Sequence, residues 1–351
     1  MKKKEFLARL LYYSRLLDFF RMRCRNRLIV FNYHRLRPDA VDFTTPFDDF
    51  GFGPTASAFR HQMQWLKHNT HLVSEQNIIE CLHSKKSFKK PCALVTFDDG
   101  YRDNYTIGYP ILKELGIPAI FFIPTESIGT RRLGHWDLIA YLIKQTAKPY
   151  LIFGEERFDL RRQRHQAIKH WQAKAKMGTE DEIKVLITRL TEICEVALPT
   201  VEAQDRELMN WDEIREVSQN NVTIGSHTHT HPCLSRLDAA AQRREMSLPK
   251  TIIEEKISQA VRSIAYPFGS PRYYNRDTLQ MAAACGYDLG FSFLTGFNHL
   301  HGFSTFAVKR TEGPNDFKTL AATLVFPEWF AWEDKTNTFN LVNANHKGEV
   351  S

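Results

Sequence analysis

The stretch that most constrains this chain is Ala93–Tyr101, ALVTFDDGY. Four apolar or β-branched residues lead through Phe97 into two adjacent carboxylates and a glycine, the pattern of a buried strand that ends abruptly. Ending there, the strand presents Asp98 and Asp99 at the carboxyl edge of a sheet, where α/β proteins keep their chemistry. Adjacent aspartates repel each other, so a cation or hydrogen-bond donors must compensate the pair. An Asx-turn, with both side chains on backbone N–H groups, would do so without any chemistry.

A second constellation lies far downstream. Ile224–His231, IGSHTHTH, follows the β-like run Val222–Gly225. Imidazole suits zinc, and two histidines plus one carboxylate leave a tetrahedral site open for water. Taken alone, His227, His229 and His231 read equally as a surface cluster. Taken with the aspartates, an Asp at one strand end and His-x-x-x-His at another converge on one ion. Spacing alone does not say which two of the three histidines bind.

These residues carry a resemblance. Thr96–Gly100, TFDDG, and His227, Thr228 and His231, H-T-x-x-H, resemble the first two motifs of the polysaccharide deacetylases, the NodB-homology family. The run DGYRDNYTIGYPILKELGIPAIFFIPTESIG is similar to the family's strand–helix–strand opening. Ala265–Gly269 (AYPFG), the following YYN and GYDLGFSF are similar to its later strands. The resemblance spans roughly residues 34–314, apart from a long middle stretch. It implies an α/β fold, a distorted (β/α) barrel with a helical insertion, and metal-dependent removal of acetyl groups from sugars. It also implies Asp98 as general base and Asp99, His227 and His231 as ligands of a divalent metal, Zn2+ in the first place. His229 is then a neighbour lining the cleft. The implied substrate is an acetylated glycan, N-acetylated on an amino sugar of a polysaccharide or glycan precursor. The alternatives are O-acetyl ester cleavage on a lipid-linked or cell-surface saccharide, or a glycan-binding module without turnover.

Amide hydrolysis at neutral pH needs a better nucleophile than water and a stabilised oxyanion, and a divalent ion supplies both. Asp98, beside the metal, can take the water proton. The backbone N–H of Tyr101 is a candidate oxyanion donor. Phe268 and Trp211 are either sugar-stacking surfaces or core. Where the family's third motif usually carries an Arg that fixes the base, this chain has Ala265-Tyr266-Pro267-Phe268-Gly269, and Arg310 is the candidate replacement. The family's last motif, Leu-x-x-His, has no clean match. His299 and His301 in the right region, and His34 after the first strand, are the candidates for the general acid.

The 351 residues hold a barrel of about 250 residues with additions; 43% apolar and 25% charged content fits a globular core. Barrel sequence is expected over residues 28–330, with the insertion at about 130–209 and a polar tail at 331–351. Cys24, Cys81, Cys92, Cys194, Cys233 and Cys285 show no paired spacing and read as reduced thiols of a cytoplasmic protein. Cys233, near His231, reads as a small buried hydrophobe.

Charge is uneven. Residues 1–27 contain nine Lys/Arg against Glu5 and Asp18, 9 − 2 = +7, which equals the whole-chain formal charge of +7. The remainder is neutral, which argues against nucleic acid as a partner. Within Lys2–Arg27, Phe6, Leu7, Leu10, Leu11, Leu17 and Phe20 recur at helical spacing among basic residues. Such a helix either lies on an anionic membrane, as peripheral contact at its inner face, or packs on the barrel and caps its bottom.

Overall fold

Short apolar runs become the wall of a barrel. The computed structural model describes residues 3–40, 42–83, 88–199, 207–300 and 302–330. Helices α1 (Lys3–Tyr13) and α2 (Leu16–Arg21) precede β1 (Arg27–Tyr33). Next come β2 (Arg35–Arg37), β3 (Phe52–Thr55), α3 (Ala56–Asn69), β4 (His71–Leu72), α4 (Glu75–His83) and β5 (Cys92–Phe97). A π-helical stretch, Asn104–Gly108, runs into α5 (Tyr109–Leu115), ended by left-handed Gly116, and then β6 (Ala119–Ile123).

The insertion contributes α6 (His135–Gln145), β7 (Tyr150–Phe153), β8 (Glu156–Asp159), α7 (Leu160–Ala175) and α8 (Glu180–Cys194). The expected capping box of Thr179 and Glu182 opens α8. The β7–β8 hairpin was not expected from the sequence. The barrel resumes with α9 (Trp211–Ser218), β9 (Val222–Ser226), α10 (Ala239–Ile257), β10 (Ser263–Ala265), α11 (Arg276–Ala284), β11 (Leu289–Phe291), β12 (Asn298–His299) and β13 (Thr311–Glu312). Helices α12 (Phe317–Val325) and α13 (Pro327–Phe330) close the described chain. From sequence alone, Pro249 interrupts the helical pattern that follows Ser235. Instead α10 runs through it, with Met246, Pro249 and Ile253 all buried on one side.

The main sheet has the order β11-β10-β9-β6-β5-β1, all parallel, with β12 antiparallel on the first residues of β1 and β13 parallel on its last. The two edges of this sheet meet through one short segment. Val308 bridges Phe291 of β11, and Thr311 and Glu312 pair with Phe31 and Asn32 of β1. A distorted α/β barrel results, as the sequence led us to expect.

Alternation along the strands separates two cores. Ile29, Phe31, Val95, Phe97, Phe121 and Ile224 face the helices. Leu28, Val30, Leu94, Phe122, Ala265 and Phe291 fill the interior. Gly225 is needed there, because a Cβ would lie 2.5 Å from the Phe122 ring. Continued by twos, the inward rows of β1, β5 and β9 reach Asn32, Asp98 and His227 at the carboxyl mouth. The insertion buries its own cluster, including Ile139, Leu160, Trp171 and Leu190.

The basic N-terminal segment is two helices, not one, broken where Arg15 takes φ 59°. Ala8, Leu17 and Cys24 pack on Ala321, Ala322 and Val325 of α12, so the segment clads the barrel wall. The tail at 331–351 lies outside the described residues. All six cysteines are free, and Cys233 is buried beside Ser235.

Candidate active site

The strand carrying TFDDG stops because its next two residues leave the β region. Asp99 has φ 71° and Gly100 φ 70°. A side chain at Gly100 would also meet Ile128 at 2.8 Å, so only glycine fits. Asp98 is still held to the sheet, its N–H donating to Tyr33 O at 3.0 Å. The histidine loop is built in the same way. His227 N–H donates to Ile123 O at 2.9 Å, and Thr228 and His231 take φ 67° and 60°. Thr228 Oγ1 accepts from His231 N–H at 3.1 Å, which explains the threonine in H-T-x-x-H. Glu245 of α10 accepts from the N–H groups of His229 and Thr230 at 2.9 and 2.8 Å. Phe268 has φ 60°, so four of the nine non-glycine residues with positive φ among the described residues surround one site. Strain of this kind costs on the order of 1–3 kcal/mol per residue and persists only where the surroundings enforce it.

These turns bring Asp99, His227 and His231 together, with one donor atom from each within 4.8 Å of the others. Asp99 Oδ1 lies 3.4 Å from the Nε2 atoms of both histidines. That oxygen is buried and has no hydrogen-bond partner among the described residues, a costly state unless something else occupies it. His227 Nδ1 sits 2.8 Å from Ala265 O, which sets this nitrogen as the donor and leaves Nε2 as a lone pair toward Asp99. Burial, reinforced by His227, presses the His231 imidazole down to about 3, so it stands neutral as a ligand must. Burial alone would keep Asp99 protonated, but the imidazoles of His227 and His231 at its side hold it well below the usual carboxylate range. One carboxylate and two imidazoles fit a divalent cation with positions left open. His229 is not in the cluster; its Nδ1 pairs with Thr125 Oγ1 at 2.8 Å.

Asp98 stands beside this cluster, its Oδ2 4.0 Å from His227 Nε2. Arg310, only 1% exposed, grips it with both arms of the guanidinium: Nη1 donates to Oδ1 at 2.7 Å and Nη2 to Oδ2 at 2.8 Å. Asn32 adds a donor to Oδ2 at 3.1 Å, and itself accepts from Arg310 Nη1 and Thr96 Oγ1. Burial works against ionisation of Asp98, yet Arg310 and then His227 outweigh it and leave the carboxyl below its ordinary value. The fork that the third motif lacks is therefore supplied by the closing segment of the barrel.

The candidate acids separate. His34 follows the last residue of β1 at the mouth, its backbone carbonyl accepting from Asn104 Nδ2 at 2.8 Å and its ring 6.1 Å from that of Phe293. His299 pairs with Arg27 at the opposite end of β1, so it cannot reach the site. At about 3.3 Å per residue, the length of that strand separates it from Asp98. His301 lies outside the described residues. Phe268 packs its ring edge against His231 at 4.8 Å between centroids. Trp211 packs on the helix-side core instead. Tyr101 bridges Leu208 using the N–H groups of Arg102 and Met209, so its own N–H points away from that pairing.

Sequence reasoning missed two groups. Asn32 was one polar residue in an apolar inward row, a signal that was readable. The other is the start of α6. Trp136 lies against His231 at 5.0 Å and donates through Nε1 to Tyr101 Oη at 2.6 Å; Tyr101 in turn donates to Asp137 Oδ2 at 3.2 Å. The insertion thus forms one wall of the site.

A barrel with an Asp-Asp turn at one strand end and H-T-x-x-H at another defines a class. Residues 85–290, more than half of the chain, match the polysaccharide deacetylase family, and the chain belongs to it. The chain is 26% identical over 234 residues to the Bacillus subtilis protein YxkH, named for the same family, covering 66% of this chain and 56% of that one. It is 28% identical over 128 residues to the poly-β-1,6-N-acetyl-D-glucosamine N-deacetylase of Staphylococcus epidermidis, covering 33% and 42%. The matches thus span about half the length of these relatives. Among solved structures, the Streptococcus pyogenes deacetylase PplD in complex with acetate superposes with a TM-score of 0.56 at 18% identity, covering 85% of this chain and 98% of that one. IcaB from Ammonifex degensii gives 0.53 at 17%, covering 85% and 97%. At these identities the likeness is one of fold.

Proposed function

We propose that this chain hydrolyses N-acetyl groups on an amino-sugar-containing polysaccharide or glycan precursor, using a divalent cation, zinc, held by Asp99, His227 and His231. The observation that carries the reading is the placement of a buried, Arg310-gripped Asp98 beside a buried carboxylate oxygen that lacks a partner. When bound, the cation acidifies water and polarises the acetyl carbonyl. Asp98, ionised and fixed, takes the proton of the attacking water at Oδ2, the oxygen nearer the cluster. The Tyr101 N–H, which the pairing with Leu208 leaves free of that ladder, is the donor to the oxyanion that develops. His34, at the mouth, supplies the proton with which the amine leaves. Acetate and a free amino sugar result. Trp136 and Phe268 flank His231, limit water around it and offer apolar faces to a sugar ring.

The N-acetyl reading is favoured over O-acetyl cleavage by the N-deacetylase relatives. The test is acetate release by the zinc-loaded chain from N-acetylglucosamine oligomers, β-1,6-linked ones included, with amine appearance as second readout. Acetate and amine should appear together, stop on chelation and return with zinc. Acetate release from O-acetylated sugars alone would overturn the reading.

A further inference from the structure

Packing on the barrel explains only half of the apolar surface of α1 and α2. On α1, Ala8 faces α12, while Phe6 and Leu10 lie on the opposite side and are 58% and 57% exposed; Tyr13, 69% exposed, lies at the edge, its hydroxyl accepting from Lys318 Nζ of α12 at 2.8 Å. On α2, Leu17 and Phe20 face inward, and Leu16 and Phe19 outward, followed by Met22. Leu17, one of the residues expected to meet a membrane, is therefore committed to the barrel. Among the described residues, twelve large apolar side chains are strongly exposed, and seven of them fall between Phe6 and Met22. An exposed apolar face this concentrated marks a docking surface.

Its charge identifies the partner. Lys3, Arg9 and Arg25 are exposed around the patch, and all the excess positive charge of the chain resides in residues 1–27. The patch continues through Phe20 and Phe326 to Trp329, 63% exposed and stacked on Phe326. Beside Trp329 opens a cavity of about 410 Å³ lined by Arg27, His299, Lys309 and Glu328, with a net positive rim suited to a phosphate headgroup. No helix among the described residues is long and apolar enough to cross a membrane. We infer that α1, α2 and Trp329 form a flat docking face for the surface of an anionic lipid bilayer, with the outward apolar residues at the acyl boundary and the basic residues among the headgroups.

The face has a definite orientation. Tyr12 meets Phe317 at the mouth end of α12, and Phe20 meets Phe326 at its far end, so the two helices follow α12 along the barrel flank. A bilayer on this flank runs beside the catalytic mouth, and does not cover it.

This inference goes beyond the proposed reaction and is tested without it. The full chain is sedimented with vesicles of phosphatidylcholine alone or with 30% phosphatidylglycerol, at about 0.1 and 0.5 M salt. Binding should require the anionic lipid and fall several-fold at the higher salt. Leu10→Glu/Phe19→Glu should lower partitioning at least about tenfold, and Lys3→Ser/Arg9→Ser/Arg25→Ser should weaken the preference for anionic lipid several-fold. Both variants should keep wild-type melting temperatures, because the altered side chains are exposed. Wild-type protein in the supernatant, or equal binding of the Glu variant, overturns the proposal. So does a wild-type dimer that Leu10→Glu/Phe19→Glu dissociates, which would make the face an interface between copies.

Discussion

Arg310 and Asp98 lie 212 positions apart in sequence and meet as a two-pronged ion pair, at 2.7 and 2.8 Å, in the buried mouth of the barrel. Arg310 also donates through Nε to Ser292 O, which fixes the plane of the fork. Removing it leaves burial as the main influence on Asp98, and burial raises a carboxyl pKa. Arg310→Met should therefore shift the acid limb of kcat/KM to higher pH and lower the maximum roughly 10²–10⁴-fold. Arg310→Lys should restore part of the charge effect but not the alignment. An unmoved acid limb in a folded Arg310→Met protein would show that the pair is structural only.

Asp98→Asn should fold, retain metal and lose nearly all acetate release, about 10²-fold or more, because no base remains at that position. Metal analysis of the same preparation checks that the site is intact. Near-wild-type turnover with metal bound would remove Asp98 from the reaction.

Asp99→Ala, His227→Ala and His231→Ala should each empty the cation site, whereas His229→Ala, whose imidazole pairs with Thr125, should leave about one equivalent of zinc bound. Metal content after dialysis distinguishes these outcomes.

Asp137 should make stability depend on pH. Burial raises its carboxyl to about 7, against the opposing charge of Arg35. Between the unfolded value of 3.8 and about 7 the unfolded chain loses this proton while the folded chain keeps it. Stability from this group therefore falls as pH rises through that window and is level above it. Asp137→Asn, which can still accept from Asp48 N–H, escapes the penalty. Its unfolding free energy from urea titrations, relative to wild type, should climb from pH 5 to 7 by an amount on the order of a few kcal/mol and then plateau. A pH-independent difference would mean that Asp137 ionises normally.

Much of the site was legible because its local rules are strict. TFDDG and H-T-x-x-H sit at strand ends, where short-range sterics fix the turn, and Asp99, His227 and His231 duly converge. Arg310 could be named but not placed, since its partner is reached only by closure of the barrel. His299 was misassigned because sequence position does not reveal which end of β1 a short antiparallel strand will pair with. Trp136 and Asp137 fall in the helical insertion, where the sequence shows helix-forming character and nothing more. Their contact with Tyr101 depends on how the insertion docks, which periodicity does not encode. The second apolar face of α1 was hidden for a related reason: a helix that is apolar on two sides reads as one broad stripe.

The segment from Val308 to Glu312 touches both edges of the sheet and carries Arg310 at its centre. Asp99, His227 and His231 all lie before residue 232, yet the fork on Asp98 comes from residue 310. The Asp99–His227–His231 cluster is thus built from strand ends inside the sheet, whereas the guanidinium that aligns Asp98 arrives with the segment that joins the sheet's two edges. Any change that loosens this seam acts directly on the carboxylate it clamps, and reaches the cluster only through Asp98.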